Sequence, residues 1–571
     1  MSAAEDEEGS SHTSNGLQLE NTYKKCRPLV EKIMEGNIDE AHRVWIRSTD
    51  KATTTPVRGT VEGAIPGWLE GSLYRDGPGV INIGDTWYHH IFDGMAVLHK
   101  FSIKDGEATY MSRILDSDSY KKNSSANRIV VDEFGTRSYP DPCKTILQKF
   151  MSRFNPPKLD EMTDNCAVNV CFFGDELFAM TETNHIRRVD ASDLKIIGEK
   201  TNLSEYVAVN MATAHPHVDP DGTVYNMGNS FTGRKGPTYN IIKFPPKKTM
   251  PDGSTSTSFD QATVEASIPC QWKLRPSYYH SFSLTDDYFI LVEQPMGVSV
   301  TKLLTNHYRG KAFMKAMDWI PNETTKFRVV RRSDGSVFKT VYHAKAFFTF
   351  HTINAYEEAG HLVVDTCCFD DAAVVNQVWL ENIVNPTQAF NKALQSVPRR
   401  FVLPLDVKQA PVDKNLVTLS DTECTANKLK DGSIYCEPED LSSCHMEMPR
   451  INYRLNGKKY RYFYGIVSAW GLNCGSLCKV DTETKETQLW HGPGFQVSEP
   501  IFVERPGATE EDDGVVLASL INEKEEKEVR LVVLDAKTFQ QLALVIFKTH
   551  GIVTKEFHGL FARSCDQVHR Y

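Results

Sequence analysis

Four histidines stand out because each is flanked by aromatic residues or proline. They are His215, His280, His351 and His558. Imidazole is a common metal ligand, and the gaps of 65, 71 and 207 residues correspond to one, one and three units of a repeat of about 69 residues. Such a repeat would point all four side chains at one axis. Because the chain has 18 histidines, some subset will always look periodic, and ordinary core or turn histidines remain the alternative.

Three glutamates lie in otherwise uncharged surroundings and could support such a metal site. They are Glu182, Glu447 and Glu499. A metal-bound imidazole usually donates its second N–H to a carboxylate or a carbonyl, which fixes its tautomer. Carboxylates would also offset the two positive charges of a dication held only by neutral imidazoles. For each glutamate taken alone, a surface or helix-capping role is an equal alternative.

Composition narrows the class of protein. The 571 residues are 40% hydrophobic and 24% charged, which is enough apolar material for a large core. The net charge of −10 argues against nucleic acid as a partner. No apolar run approaches the length of a membrane span of about 18 residues, and the N-terminus lacks the pattern of a signal peptide. We therefore expect a cytoplasmic protein whose 13 cysteines are reduced.

Frequent turn signals divide the chain into short β-rich segments, as in Asp221-Gly222, Asp334-Gly335 and Asn456-Gly457. No strand is followed by a glycine-rich phosphate-binding motif and a regular helix, which disfavours a doubly wound α/β fold. The pattern predicts an all-β barrel, sandwich or propeller. The predicted strands cover residues 223–227, 288–293, 326–331, 361–367, 460–464 and 531–535.

The N-terminal segment differs from the rest of the chain. Residues 1–16 contain four acidic residues and no lysine or arginine, and we expect them to form a loose tail. Apolar residues spaced on one face predict a short surface helix over residues 28–41. We therefore divide the chain into an N-terminal tail, residues 1–41, and a single domain, residues 42–571.

Several segments, in one order, resemble the carotenoid cleavage oxygenases. They are residues 75–79 (RDGPG), 90–95 (HIFDGM), 133–136 (EFGT), 139–144 (YPDPCK) and the stretches around the four histidines. The resemblance covers the chain from about residue 42 onward. It implies a seven-bladed β-propeller with a helical and loop cap over the face that contains the metal. It also implies Fe(II) held by His215, His280, His351 and His558.

The same resemblance assigns further residues. It places Glu182, Glu447 and Glu499 behind the histidine ligands, and it places Phe134 and Thr181 in the cavity beside the reactive double bond. The substrates implied are a carotenoid and O2, and a homodimer is a further expectation. Residues 44–48, 269–274 and 459–464 are most similar to the insect isomerooxygenase branch, which implies cleavage of the central 15,15′ double bond with trans to 11-cis isomerisation of one half to give visual chromophore.

Three alternatives stay open within the resemblance. An eccentric 9′,10′ cleavage oxygenase would share every ligand, and residues 151–154 and 400–405 also resemble such enzymes. A retinyl ester isomerohydrolase has the same iron site and does not use O2. A carotenoid carrier on the same scaffold is disfavoured by the complete set of ligands.

A lipid-soluble substrate requires a path from the membrane, and residues 143–154 are the candidate for docking there. Apolar residues share one helical face, and Lys144, Lys149 and Arg153 flank it. A helix packed on the core is the alternative. The resemblance favours peripheral association with internal membranes and allows acylation of Cys143. The docking residues are Cys143, Ile146, Leu147, Phe150, Met151 and Phe154.

Overall fold

The computed structural model describes residues 38–139, 162–231, 236–320, 322–467 and 475–563. Within these ranges the chain is built mainly from strands, and its six α-helices are short, the longest having 10 residues. The helices are α1 (Glu40–Trp45), α2 (Asp118–Ser125), α3 (Val300–Arg309), α4 (Ala373–Gln377), α5 (Leu380–Ile383) and α6 (Gln388–Ala393).

The strands of the described ranges are mostly short and rich in Val, Ile, Leu, Tyr and Phe, the composition of segments buried between packed sheets. The first twenty are β1 (Val57–Arg58), β2 (Thr60–Gly63), β3 (Gly71–Val80), β4 (Asn82–Ile83), β5 (Thr86–Trp87), β6 (Met95–Lys104), β7 (Glu107–Ile114), β8 (Asn169–Phe173), β9 (Glu176–Met180), β10 (His185–Val189), β11 (Thr201–Asn202), β12 (Met211–Ala212), β13 (His217–Val218), β14 (Val224–Ser230), β15 (Thr238–Phe244), β16 (Lys248–Thr249), β17 (Thr255–Ser256), β18 (Thr263–Pro269), β19 (Ser283–Leu284) and β20 (Tyr288–Glu293).

The second twenty strands continue to the end of the described chain. They are β21 (Met296–Val298), β22 (Met317–Trp319), β23 (Thr325–Arg331), β24 (Tyr342–Ala344), β25 (Thr352–Glu358), β26 (His361–Phe369), β27 (Ser396–Pro404), β28 (Thr425–Lys428), β29 (Ile434–Glu437), β30 (Glu439–Asp440), β31 (Met446–Ile451), β32 (Tyr462–Val467), β33 (Ser476–Asp481), β34 (Thr487–His491), β35 (Phe495–Val497), β36 (Ile501–Glu504), β37 (Gly514–Asn522), β38 (Glu528–Asp535), β39 (Gln541–Lys548) and β40 (His558–Arg563).

Seven of the sheets are the blades of a β-propeller, as the family resemblance implied. Their strand orders are β1-β7-β6-β3-β40 in blade 1, β11-β10-β9-β8 in blade 2, β12-β14-β15-β18 with β13 beside β14 in blade 3, β19-β20-β23-β24-β29-β28 in blade 4, β25-β26-β27-β30 in blade 5, β31-β32-β33-β34 in blade 6, and β2-β39-β38-β37-β35 with β36 beside β37 in blade 7. Pairing within the blades is antiparallel except between β24 and β29.

The six predicted strands all coincide with observed strands, and their ends differ by a few residues. The clearest difference is β32, which begins at Tyr462 although the predicted strand begins at residue 460. The backbone N–H groups of Arg461 and Tyr462 donate to the carboxylate of Glu511. This side-chain partner replaces the strand partner that alternation of residue types alone would suggest.

The ring of blades is closed by both ends of the described chain. The last strand, β40, pairs with β3 in blade 1, in a register that places His558 opposite Asp76. Near the other end, β2 joins blade 7 by pairing with β39, whereas β1 pairs with β7 in blade 1. Blades 1 and 7 are therefore tied together by neighbouring N-terminal strands.

The helical and loop cap forms from segments inserted between strands. Helices α4, α5 and α6 lie between β26 and β27, and Val374, Leu380 and Phe390 of these helices are buried in one cluster with Phe348 and Phe350. Residues 28–37 of the predicted N-terminal helix lie outside the described residues. Its last two residues are the first two of α1, which runs on to Trp45.

Loss of packing at the closing strand should destabilise the ring. Phe561 of β40 is 3% exposed and packs in one cluster with Leu73 of β3. We expect Phe561→Ala to lower the free energy of unfolding by about 3–5 kcal/mol, because it leaves a cavity in a closed core. Leu489→Ala, on a strand residue that is 44% exposed, is the control and should change it by less than about 0.5 kcal/mol. Equal thermal or denaturant unfolding of the two variants would contradict this role for β40.

Candidate metal centre

Each of the seven blades contributes one side chain to a polar cluster at the propeller axis. Blades 1, 3, 4 and 5 provide His558, His215, His280 and His351, while blades 2, 6 and 7 provide Glu182, Glu447 and Glu499. Each residue lies at an end of a strand or in the adjoining loop, for example His558 as the first residue of β40. The repeat suggested by the histidine spacing therefore corresponds to blades, with the glutamates filling the blades that lack a histidine.

The four histidines come together through their Nε2 atoms. The Nε2–Nε2 distances are 2.8 Å from His215 to His280, 3.2 Å from His280 to His351 and 3.2 Å from His351 to His558. All four ligand atoms lie within 4.8 Å of one another. Two nitrogens each about 2.1 Å from one metal ion, at a right angle, would be about 3.0 Å apart. The cluster therefore has the spacing that a shared metal ion requires.

Three of the four histidines are held in the neutral form that binds metals. Burial lowers the pKa of His215, His351 and His558 well below the usual histidine value, and the neighbouring histidines lower it further. A neutral imidazole has a free nitrogen lone pair for a metal, whereas imidazolium has none. The described residues thus form a set of donors suited to an imidazole-preferring metal such as iron, zinc, copper or nickel.

Each of the three glutamates pairs with one histidine at Nδ1, the nitrogen that faces away from the cluster. The Nδ1 to carboxylate distances are 2.6 Å for His280 with Glu182, 2.6 Å for His351 with Glu447 and 2.9 Å for His558 with Glu499. These bonds fix Nε2 as the nitrogen that faces the cluster. Burial raises the pKa of Glu447 to about 8, an effect that a dication on His351 would oppose.

A row of aromatic rings leads away from the histidine cluster. Phe350 lies 5.2 Å from His280 between ring centroids, and Phe92 lies 6.1 Å from Phe350. Phe134 follows at 6.0 Å from Phe92 and contacts Phe313 at 6.0 Å. These rings form a continuous apolar cluster that begins beside the histidines.

The two predicted cavity residues occupy different parts of this region. Phe134 is half-buried within the aromatic row. Thr181 is half-buried and directly precedes Glu182 in the loop between β9 and β10, which places it beside the metal cluster. Both positions are compatible with the cavity role that the family resemblance implies.

A buried carboxylate fixes the loop that carries Phe134. Asp93 accepts hydrogen bonds from the Gly135 backbone N–H at 2.9 Å and from Thr136 Oγ1 at 2.5 Å. A Cβ atom on Gly135 would lie 2.6 Å from Cβ of His90, so only glycine fits there. The HIFDGM and EFGT segments, which the sequence shows only as separate motifs, are thus joined into one unit behind Phe134.

Sequence reasoning missed several of these contacts. It identified the histidines and glutamates but not their pairing, and it gave no role to Asp93, Phe92 or Phe350. Tyr278 was also missed: its hydroxyl donates to Glu182 at 3.0 Å and lies 3.0 Å from Nδ1 of His280. The position of Tyr278 two residues before a candidate ligand was the available signal.

The structure describes Cys367, Cys368 and Cys478 but not the candidate docking residues. Cys367, Cys368 and Cys478 are buried in strands and are not among the ligand atoms that the histidines bring together, although the backbone N–H of Cys367 donates to the carbonyl oxygen of His351 at 3.0 Å. The candidate docking residues Cys143, Ile146, Leu147, Phe150, Met151 and Phe154 lie outside the described residues, so membrane docking stays a prediction. In the described ranges, none of the helices has the length and hydropathy needed to cross a bilayer.

Comparison with known proteins identifies the family. The model of the retinal pigment epithelial membrane protein family matches residues 46–563. The chain belongs to this family. A mitochondrial carotenoid-cleaving dioxygenase of Mustela putorius furo is 42% identical to it over 90% of this chain and 95% of the relative. A β,β-carotene 15,15′-dioxygenase of Rattus norvegicus is 40% identical over 90% of each chain. The carotenoid cleavage oxygenase family predicted from the motifs is therefore confirmed.

Solved structures agree with the fold. A variant of the Synechocystis apocarotenoid oxygenase superposes with a TM-score of 0.72 over 92% of this chain and 99% of the other, at 22% identity. A cobalt-substituted form of the Synechocystis protein gives the same TM-score of 0.72. At this level of identity the similarity supports the seven-bladed propeller and no finer property.

The buried Asp93 carboxyl should leave a signature in the pH dependence of stability. Burial raises its pKa to about 7 in the folded protein, although the backbone N–H of Gly135 and the hydroxyl of Thr136 oppose this rise. Between about pH 4 and pH 7 the folded form keeps a proton that the unfolded form has lost, so this group lowers the free energy of unfolding by up to about 1.4 kcal/mol per pH unit as the pH rises. Asp93→Asn should remove this slope.

The measurement is denaturant unfolding of wild type and variant across that pH range. Asp252→Asn, which changes a fully exposed aspartate, is the control and should keep the wild-type slope. An unchanged slope in Asp93→Asn would show that Asp93 is not protonated in the folded protein.

Proposed function

We propose that this protein is an iron(II)-dependent dioxygenase that cleaves a carbon–carbon double bond of a carotenoid. The observation that carries the proposal is the convergence of four histidines, three of them bonded to carboxylates, beside a row of aromatic rings. Relatives named for carotenoid cleavage are about 40% identical over nearly the whole chain. Neither the row of rings nor the histidine cluster would alone indicate this substrate class.

Iron fits the donor set, because imidazole is among the ligands it prefers. His215, His280, His351 and His558 would hold it through Nε2. When bound, ferrous iron supplies the one-electron chemistry that allows O2 to react with a double bond. Glu182, Glu447 and Glu499 keep the imidazoles oriented and offset the positive charge.

The chain's remaining contribution is to hold the polyene and exclude water. In the overall reaction one C=C bond is broken and each carbon gains one atom of O2, which gives two aldehydes. No proton enters or leaves, so no general base is required. Phe350, Phe92 and Phe134 can stabilise cationic character along the polyene through their ring faces, and Asp93 keeps Phe134 in place.

We further propose that the bond cleaved is the central 15,15′ bond and that one product half becomes 11-cis. The supporting observation is the sequence similarity of residues 44–48, 269–274 and 459–464 to the isomerooxygenase branch. Relatives named for 15,15′ cleavage and those named only as carotenoid-cleaving match at similar identity, 40% and 42%. Eccentric 9′,10′ cleavage is therefore the second candidate, because it would use the same site.

Product analysis tests the function directly. Fe(II)-loaded protein incubated with zeaxanthin should give two C20 aldehydes, one of them 11-cis, and labelled O2 should place one oxygen atom in each. Chromatography that resolves chain length and double-bond geometry is the measurement. A C27 aldehyde would show that cleavage is eccentric and not central. An equal amount of product without O2, or hydrolysis of a retinyl ester, would overturn the assignment of dioxygenase activity.

Removal of one ligand tests the metal site. His280→Ala should abolish turnover and lower bound iron, measured by elemental analysis, because it removes one of the four donors. His217→Ala is a matched control: the His217 ring bonds Phe282 O at 2.8 Å and Asn456 Oδ1 at 3.1 Å instead of joining the cluster. The control should keep its iron. Full iron content and activity in His280→Ala would refute the assignment.

Replacement of one supporting carboxylate should have a smaller effect. Glu447→Gln keeps the size of the side chain but removes the charge behind His351. We expect iron affinity or activity to fall by about 10–100-fold, the range typical for such partners. Metal titration with a competing chelator is the measurement, and Glu437→Gln, an exposed change in β29, is the control. Equal affinity in both variants would contradict the role of Glu447.

A further inference from the structure

The carboxylate of Glu499 differs from those of Glu182 and Glu447 because two arginines donate to it. Arg450 forms a bidentate pair with it, with Nε 2.7 Å from Oε1 and Nη2 3.0 Å from Oε2. Arg75 Nη1 lies 3.4 Å from Oε2, and the Gly559 N–H donates to the same oxygen at 3.1 Å. The bond from His558 Nδ1 is one of several that share this carboxylate.

The other two carboxylates receive far fewer donors. Glu447 accepts from His351 and from the Met448 N–H, both at Oε2, and its Oε1 has no partner among the described residues. Glu182 accepts from His280 and from the hydroxyl of Tyr278. Neither forms an ion pair with an arginine or lysine in the described part of the chain. Their bonds to histidine are also shorter, at 2.6 Å against 2.9 Å for His558.

These contacts divide the charge around the cluster unevenly. Arg75 and Arg450 together face two carboxylates, Glu499 and Glu556, since Arg75 Nε donates to Glu556 at 3.1 Å. The charges of these four side chains cancel. With a dication bound by the four histidines, Glu182 and Glu447 would supply the two negative charges that balance it. A trication at the same place would leave one positive charge uncompensated in a buried site.

We propose that Arg450, with Arg75, acts as a positioning and tuning residue that keeps the bound iron ferrous. The arginine charges neutralise Glu499, so His558 is a weaker donor than His280 and His351, and the total charge of the site matches Fe(II) better than Fe(III). Arg450 is the member open to substitution, because its side chain is 28% exposed whereas that of Arg75 is fully buried. This inference rests on the proposed binding of iron and adds a reason for its oxidation state.

The test is a redox titration of Fe(II)-loaded Arg450→Gln without substrate, read by the ferric electron paramagnetic resonance signal. Glutamine can still donate to Glu499 but carries no charge. At a fixed solution potential we expect the ferric-to-ferrous ratio to rise about tenfold, equivalent to about 59 mV for a one-electron couple. Arg450→Lys retains the charge and should stay near the wild-type ratio.

Arg461→Gln is the matched control. Arg461 forms a bidentate pair of the same kind with Asp481, with Nε 3.1 Å from Oδ1 and Nη2 2.8 Å from Oδ2, and its side chain is 41% exposed. The control should not change the iron ratio. An unchanged ratio in Arg450→Gln, or an equal change in Arg450→Lys, would overturn the proposal. A wild-type protein that binds no iron would instead overturn the proposed function.

A second measurement uses the wild-type protein, so it does not require any variant to fold. In the wild-type protein loaded with Zn(II), the Nδ1 protons of the metal-bound histidines can be observed by nuclear magnetic resonance after ¹⁵N labelling of histidine. The Nδ1 proton of His558 should resonate upfield of those of His280 and His351, because it donates to a carboxylate already shared with two arginines. Equivalent positions for the three protons would contradict the uneven charge distribution.

Discussion

The structure depends on holding four imidazoles a few ångströms apart at the axis of a ring. Neighbouring Nε2 atoms of His215, His280 and His351 are 2.8 and 3.2 Å apart, a distance at which protonation of two neighbouring rings would bring like charges together. Burial prevents this by lowering the pKa of His215 and His351. The carboxylates behind the rings then orient them and provide the negative charge that a dication needs.

A seven-bladed ring meets this requirement because each blade brings one side chain to the axis. Four blades place a histidine there and three place a glutamate, so all seven blades contribute to one centre. No single sheet could arrange seven side chains in this way, because residues on one strand point alternately to opposite faces. The histidine spacing of about 69 residues in the sequence reflects this architecture.

Much of this arrangement was predictable from the sequence, and the reasons for the remainder are physical. Turn signals and residue types located the strands, and motifs located His280, Glu447 and Phe134. The pairing of Glu447 with His351 was not predictable, because 96 residues separate them and only the ring geometry brings them together. The role of Arg450 was hidden for the same reason: its partner Glu499 is 49 residues away in another blade.

Ring closure and the metal site depend on the same strands in this protein. His558 is the first residue of β40, the strand that completes blade 1 by pairing with β3. Arg75 of β3 contacts Glu499 of blade 7 as well as the backbone oxygen of Phe557, so the same side chain joins the closing strand, the neighbouring blade and the support of a ligand. A metal ion that binds only the closed ring stabilises it by mass action. Because the last ligand is supplied by the last strand, the complete site can exist only once the first and seventh blades have met.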